Sequence, residues 1–249
     1  MSIRTALIIP DCHIPYHDPR AYQLMLDVAI DLNPDEIVIL GDYADFYAIN
    51  SHGKQPEFQH LLIEEIEAVK EKLAELHMFF PEAKKVYIEG NHEYRLGRYI
   101  QNRCPDLFDI IDTSSLLELP TFGFDFVPYV PAQKYNVLGS KLLARHEPLS
   151  GGKHVAQNTA EKAMASVIFG HTHRIQEGQT VTMNGENFRG ISSGWLGNQE
   201  SKVFDYVKSQ YQWALGFSIT RVLDNDTWLN DLIHIIDYKC VVNGFVYEG

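Results

Sequence analysis

Five short segments carry residues that can hold a cation or move a proton: Asp11-Cys12-His13, Gly41-Asp42, Gly90-Asn91-His92-Glu93, His146, and Gly170-His171-Thr172-His173. They supply the carboxylates of Asp11 and Asp42, the amide oxygen of Asn91 and the imidazoles of His13, His146, His171 and His173, with His92 to spare. Such a mixed oxygen and imidazole set suits manganese, iron, zinc or cobalt better than the all-oxygen spheres of calcium or magnesium. At the end of an extended strand, side chains at i and i+2 point to one side. Asp11 with His13, and His171 with His173, are therefore expected to reach one site. Neighbouring residues diverge, which leaves His92 to face a different atom from Asn91.

Each early segment follows a short apolar run, so strands must deliver these residues. The pattern predicts strands over 5–10, 36–40 and 85–88, and helices over 21–32, 58–80 and 94–101. That alternation implies right-handed βαβ units around a largely parallel sheet, with the chemistry beyond the carboxyl ends of the strands. The helix at 58–80 is the clearest: Leu61, Leu62, Ile66, Val69, Leu73 and Leu76 recur at helical spacing opposite a mixed-charge face. Beyond residue 105 the chain reads as strands at 124–127, 141–145, 167–169, 180–183, 188–191, 217–222 and 232–236, with a helix near 154–165. Gly41, Gly90 and Gly170 each precede a candidate ligand and suit tight strand-to-loop turns.

The ordered set resembles the calcineurin-like metallophosphoesterases, whose motifs run Asp-x-His, Gly-Asp, Gly-Asn-His-Glu, a lone His and Gly-His-x-His. Any one piece is commonplace, but all five stand here in order between Asp11 and His173. The resemblance implies an α/β fold in which two mixed β-sheets pack as a sandwich flanked by helices. It implies that Asp11, His13 and His173 hold one cation and that Asn91, His146 and His171 hold a second, with Asp42 bridging. Two cations of this kind grip phosphate oxygens, acidify a water for attack and stabilise an in-line displacement. His92 is then the acid that protonates the departing alkoxide, and Asp42 and His92 are the catalytic pair. Arg95, Asn91 and His92 are the expected substrate contacts, with Arg98 a further candidate. Asp45 or Glu93 would orient a histidine, or Glu93 would cap the helix that starts near Tyr94. The implied activity is hydrolysis of phosphomonoesters or phosphodiesters, small or nucleotide-like.

Two departures narrow the subclass. Gly41-Asp42-Tyr43-Ala44-Asp45 continues into Phe46-Tyr47 without the arginine of the Ser/Thr protein phosphatases, and Asp45 stands where purple acid phosphatases carry a ligating tyrosine. His146 lacks an adjacent glycine, which makes His154 its fallback. A metal-dependent nuclease is the competing activity, and a non-catalytic metal-binding scaffold the competing class. Retention of His92, which ligates nothing in this scheme, argues against the scaffold.

The 249 residues, 45% hydrophobic and 22% charged, show no linker or repeat and suggest a single domain over 1–249. No secretory signal or membrane-length apolar run is evident, so a cytoplasmic protein without membrane association is expected. Cys12, Cys104 and Cys240 are too scattered for a disulfide framework, and Cys12 should point away from its flanking ligands. The net charge of −12 disfavours nucleic acid as a partner relative to a small phosphoester or nucleotide. Near the motifs the cations are Arg95, Arg98, Arg145 and Arg174. His17 and His52, with Tyr16, Tyr43, Phe46 and Tyr47, lie where a substrate rim would form, although core packing is the default for the aromatics. His60, His77 and His234 have no partner at ligand spacing. The aromatic stretch of Trp195, Phe204, Tyr206, Tyr211, Trp213 and Phe217 is expected to be core. The sequence leaves the oligomeric state open.

Overall fold

The computed structural model describes residues 3–50, 61–108, 110–130, 132–205, 207–208, 210–223 and 227–249. His52, His60, Tyr206 and the first residues of the helix expected from 58 lie outside them.

Four strands run parallel in the first sheet: β1 (Arg4–Ile9), β2 (Glu36–Ile39), β3 (Lys84–Ile88) and β4 (Phe124–Val127). Antiparallel β10 (Gly216–Val222) and β11 (Trp228–His234) extend it beyond β1, giving the order β11-β10-β1-β2-β3-β4. The crossovers are helices. In α1 (Pro19–Leu32), the Asp18 side chain accepts from the N–H groups of Arg20 and Ala21 and Pro19 pre-sets the first turn; the helix ends at Asn33 in the left-handed region. In α2 (Leu62–Phe79), the Glu64 carboxylate accepts from the Leu61 N–H. α3 (Tyr94–Arg103) and the short α4 (Thr113–Leu116) complete this half.

The second sheet has the order β5-β6-β7-β9-β8, from β5 (Tyr135–Asn136), β6 (Leu143–Arg145), β7 (Val167–Phe169), β8 (Ile175–Val181) and β9 (Asn187–Ser193). β6, β7 and β9 run parallel, with antiparallel β5 and β8 at the edges. α5 (Val155–Ala163) covers its outer face, and a hairpin of β12 (Lys239–Val242) and β13 (Phe245–Glu248) packs near α1.

Strand alternation explains the layering. Ala6 and Ile8, Val38 with Leu40, and Val86 with Ile88 face Ala144, Ile168 and Ile191 of the second sheet in one buried cluster. Their neighbours Leu7, Ile9, Ile37, Ile39 and Tyr87 face α1, α2 and α3 in another. Both faces of the first sheet are thus covered, as a parallel sheet requires. The expected pair of sheets with outer helices is the observed architecture.

Three local readings change. The strand expected at 180–183 is β8 at Ile175–Val181, whose Gln176-Glu177-Gly178-Gln179 run carries no apolar signal because it is a half-covered edge. The strand expected at 232–236 is β11, four residues earlier, set by its pairing to β10. Two-residue β5 and the C-terminal hairpin are too short or too mixed to show periodicity. Among the described residues no helix is long and apolar enough to cross a membrane.

Candidate metal centre

The carboxyl ends of β1, β2 and β3 lie side by side, so the loops that leave them meet at one edge of the sandwich. Asp11 follows β1, Asp42 follows β2, and Asn91 and His92 follow β3; His146 and His171 arrive from the ends of β6 and β7. Backbone bonds lock the loops together: the N–H of His13 donates to the Asp42 carbonyl (2.8 Å), and that of His171 to the Asp11 carboxylate (2.8 Å). The His92 N–H donates to Asp42 Oδ1 (2.8 Å). A methyl group on Gly90 would overlap the Asp42 backbone and carboxylate, so only glycine admits this approach.

The i, i+2 pairs do not meet by strand alternation. His13, Asp42, His171 and His173 have φ of 54°, 47°, 63° and 57°, so left-handed turns aim them. His171 and His173 consequently part company. His173 Nε2 lies 3.0 Å from His13 Nε2 and 3.6 Å from Asp11 Oδ1. His171 Nδ1 instead lies 2.7 Å from Asn91 Oδ1, which is 3.0 Å from His146 Nε2; that nitrogen is 3.3 Å from Asp42 Oδ2. Asp11, His13 and His173 form one group of converging donor atoms, and Asp42, His146 and His171 another, each within 4.8 Å. A third such group, His13, Asp42 and His92, spans the space between.

The donor chemistry fits cations. His146 Nδ1 donates to the Leu40 carbonyl (2.8 Å) and His13 Nδ1 to Asp45 Oδ2 (2.9 Å), which turns both Nε2 atoms inward. All but His171 of these residues in the two outer groups are buried. Burial opposes charge on His146, yet the Asp42 carboxylate beside it raises its pKa to about 10. Burial likewise pushes Asp11 up to about 7, against the pull of His146. Asp42 itself is held well below the usual carboxylate range, burial being outweighed by His146 and His92. A fixed negative centre ringed by imidazoles is a field that a divalent cation would satisfy.

Asp45 is the second hub. Its carboxylate meets His13 Nδ1 and, at 3.2 Å, His92 Nδ1, and Arg95 Nη1 donates to its carbonyl (2.9 Å) and to Oδ1 (3.3 Å). Burial opposes ionisation, but His92 and His13 hold the Asp45 carboxyl well below its ordinary value. Arg95 Nη2 also lies 3.0 Å from His92 Nε2. Despite burial, Asp42 and Asp45 raise the His92 pKa. Glu93 neither orients a histidine nor caps α3. Its buried carboxylate accepts from the N–H groups of Asp42, Ala44 and Gly90 and from the Tyr87 hydroxyl, fastening the loops after β2 and β3.

A model of the calcineurin-like phosphoesterase family matches residues 4–174. The chain belongs to that family. Curated relatives include the Gene 54 proteins of Mycobacterium phages L5 and D29, each 27% identical over 97% of this chain and 98% of its own length. Solved structures with similar chains include the phosphoesterase YfcE of E. coli (15% identity, 96% of this chain and 97% of that one, TM-score 0.43). Vacuolar protein sorting 29 of Cryptosporidium parvum is another (10% identity, 98% and 94%, TM-score 0.46).

The neighbours of the centre include residues that the sequence suggested only as core. Trp195 stacks on His173 at 4.8 Å between ring centroids, Trp213 meets the same ring edge-on at 4.4 Å, and Phe204 packs against His13 at 5.3 Å. The aromatic stretch is core, as expected for Trp195, Phe204 and Phe217, but it is also the wall of the first group; Tyr211 is exposed. A cleft of about 1090 Å³ opens on Asn91 and His171 and is lined by Arg95, Arg98 and Arg103. Arg103 was legible as the eighth residue after Arg95 on one helix face. Arg145 and Arg174 do not line this cleft. Tyr43 and Phe46 are fully buried, Tyr16 and Tyr47 nearly so, and His17 packs edge-on against Tyr22, so these do not form a rim. His154 is exposed at the start of α5, outside both groups; His77 and His234 are exposed as well. Cys12 is buried in the helix-facing core, its thiol donating to the Pro10 carbonyl, and all three cysteines are free.

Proposed function

We propose that this chain hydrolyses phosphomonoesters or phosphodiesters of small or nucleotide-like substrates at a centre of two divalent transition ions, manganese first among them. The observation that carries the reading is the pair of converging groups around Asp42: Asp11, His13 and His173 on one side, His146 and His171 with Asn91 on the other. Asp11, His13 and His173 would hold one cation, Asn91, His146 and His171 the other, and Asp42 both. The pair supplies, when bound, positive charge for the phosphate oxygens and for acidifying the attacking water.

The remaining work falls to the protein. Asp45 holds the ring of His92 through Nδ1, which leaves Nε2 between Asp42 Oδ2 (3.8 Å) and Arg95, where it gives its proton to the departing alkoxide oxygen. Arg95 fixes Asp45 and sits against His92 Nε2, from where its guanidinium can turn to a phosphate oxygen. Buried Trp195 and Phe204 exclude water behind His13 and His173, which keeps the field of the carboxylates unscreened. The retained, tightly held His92 supports hydrolysis over a scaffold role.

The test is metal content and turnover together. Elemental analysis of the manganese-reconstituted chain should find about two ions, and bis-p-nitrophenyl phosphate or nucleotide esters should be cleaved. Asp42→Asn should lose metal and turnover together. One ion at saturation, or near-normal activity in Asp42→Asn, would overturn the binuclear scheme. Rapid degradation of long DNA at physiological salt, abolished by Asp42→Asn, would replace it with nuclease action.

A further inference from the structure

The cleft beside the centre is far larger than a phosphate group needs, and its longest wall is the outward face of α3. Tyr94, Arg95, Arg98, Asn102 and Arg103 share that wall, and among the described residues Glu147 is the one acidic residue lining the cleft. Across the chain acidic residues outnumber Lys and Arg by 33 to 21, so three guanidiniums against one carboxylate reverse the general balance.

The three arginines are not equivalent. Arg95 is occupied by Asp45 and His92. Arg98 makes one long bond to the Asn91 carbonyl (3.4 Å) and stands 5.8 Å over the Tyr94 ring. Arg103 is exposed and has no ion pair among the described residues. With a rise of about 1.5 Å per residue, Arg98 lies about 4–5 Å and Arg103 about 12 Å along the helix axis from Arg95. Anionic recognition thus continues away from the scissile position. The mutually stacked rings of Tyr94 and Tyr129 (4.8 Å, 23°) line the same cleft, as does Asn102, whose amide is a donor and acceptor pair suited to a sugar or base.

We propose that Arg98 and Arg103 form a second phosphate subsite, so that the substrate is a nucleotide carrying another phosphate one sugar away from the bond that is cut. The proposal rests on the phosphoesterase reading above and adds the substrate class. A guanidinium fork binds phosphate oxygens in pairs, which a lysine or a lone helix end does not reproduce.

Binding separates this from turnover. Calorimetry on the manganese-loaded chain should show thymidine 3′,5′-bisphosphate bound at least ~10-fold more tightly than thymidine 5′-monophosphate. The ratio should fall to within ~2-fold in Arg98→Gln/Arg103→Gln and to an intermediate value in Arg103→Lys, which keeps the charge but not the fork. Equal affinity of the two nucleotides, or an unchanged ratio in a folded double variant, overturns the subsite. Hydrolysis of thymidine 5′-(p-nitrophenyl) phosphate is measured alongside. If that ester is not cut while the bisphosphate preference holds, the hydrolase reading fails and the subsite stands; if it is cut while the preference is absent, the subsite alone fails. Competition by a 5′-phosphorylated hexathymidylate assigns the source: displacement of the bisphosphate at lower concentration points to a strand end, at higher concentration to a mononucleotide.

Discussion

His92 and Asp45 carry the sharpest expectations at the scale of single residues. His92→Ala should leave both cations bound while lowering turnover on alkyl esters by on the order of 10²–10⁴, with p-nitrophenyl esters suffering less because their leaving group needs little protonation. Equal losses on the two esters would remove His92 from the acid role. In the metal-free chain Asp42 and Asp45 raise its pKa against the effect of burial, and with the cations bound it still acts as an acid only in its protonated form. The pH dependence of turnover on alkyl esters should therefore fall on the alkaline side, and that limb should vanish in His92→Ala. The candidate ligands were legible as residue types in order, since Asp-x-His and Gly-His-x-His are local patterns. Their aim was not. Left-handed φ at His13, Asp42, His171 and His173 sends His171 and His173 to different groups, and nothing in a dipeptide spacing reveals a backbone turn of that kind.

The loops at the ends of β1, β2 and β3 hold their positions through one buried acid. Glu93 satisfies three backbone N–H groups and a tyrosine hydroxyl, so Glu93→Ala should cost on the order of 2–4 kcal/mol in denaturant unfolding and loosen the hold on both cations. A loss within a few tenths of a kcal/mol would show that the loops are tied elsewhere. The strands of the first sheet were readable because apolar runs must cover both faces of a parallel sheet. β8 was not readable, because an edge strand under α5 needs little apolar surface. Its Gly178, and Gly190 in β9, let the α5 backbone lie directly on the strands where any Cβ would overlap Gln157 or Ala156. The role of Glu93 was equally hidden, since a carboxylate before a helix reads as a cap unless the neighbouring strand ends are known.

For the molecule as a whole, folding and cation binding should be linked. At a hundred times the dissociation constant each site adds about 2.7 kcal/mol. For a chain of this size that amounts to on the order of 5–10 °C per site in Tm, which a chelator should remove and manganese restore. A Tm indifferent to chelation would count against the centre. Proton linkage has its own signature in Glu65, a buried carboxyl that accepts from the Ala48 N–H and is pushed by burial from 4.5 up to about 7. The folded chain keeps that proton between pH 4.5 and about 7 while the unfolded chain has lost it. Stability therefore falls across that window and levels off above it. Glu65→Gln, which retains an acceptor for Ala48, should flatten this contribution by on the order of 2 kcal/mol between pH 5 and pH 8. The same slope in both proteins would show that Glu65 is ionised throughout. The charge total was legible from composition, but the gathering of Arg95, Arg98 and Arg103 around one cleft depends on which face of α3 turns inward, and only the packing of Leu96 and Ile100 against the core settles that.

Two of the three tryptophans, Trp195 and Trp213, surround the ring of His173, whereas Trp228, at the start of β11, lies under the Arg189 guanidinium. The chain thus contains its own optical gauge. Paramagnetic ions seated beside His173 should quench ultraviolet emission from the indole pair while leaving Trp228 as an unquenched reference. Filling of the position nearest His13 and His173 then becomes readable by titration, without a substrate, a dye or a label.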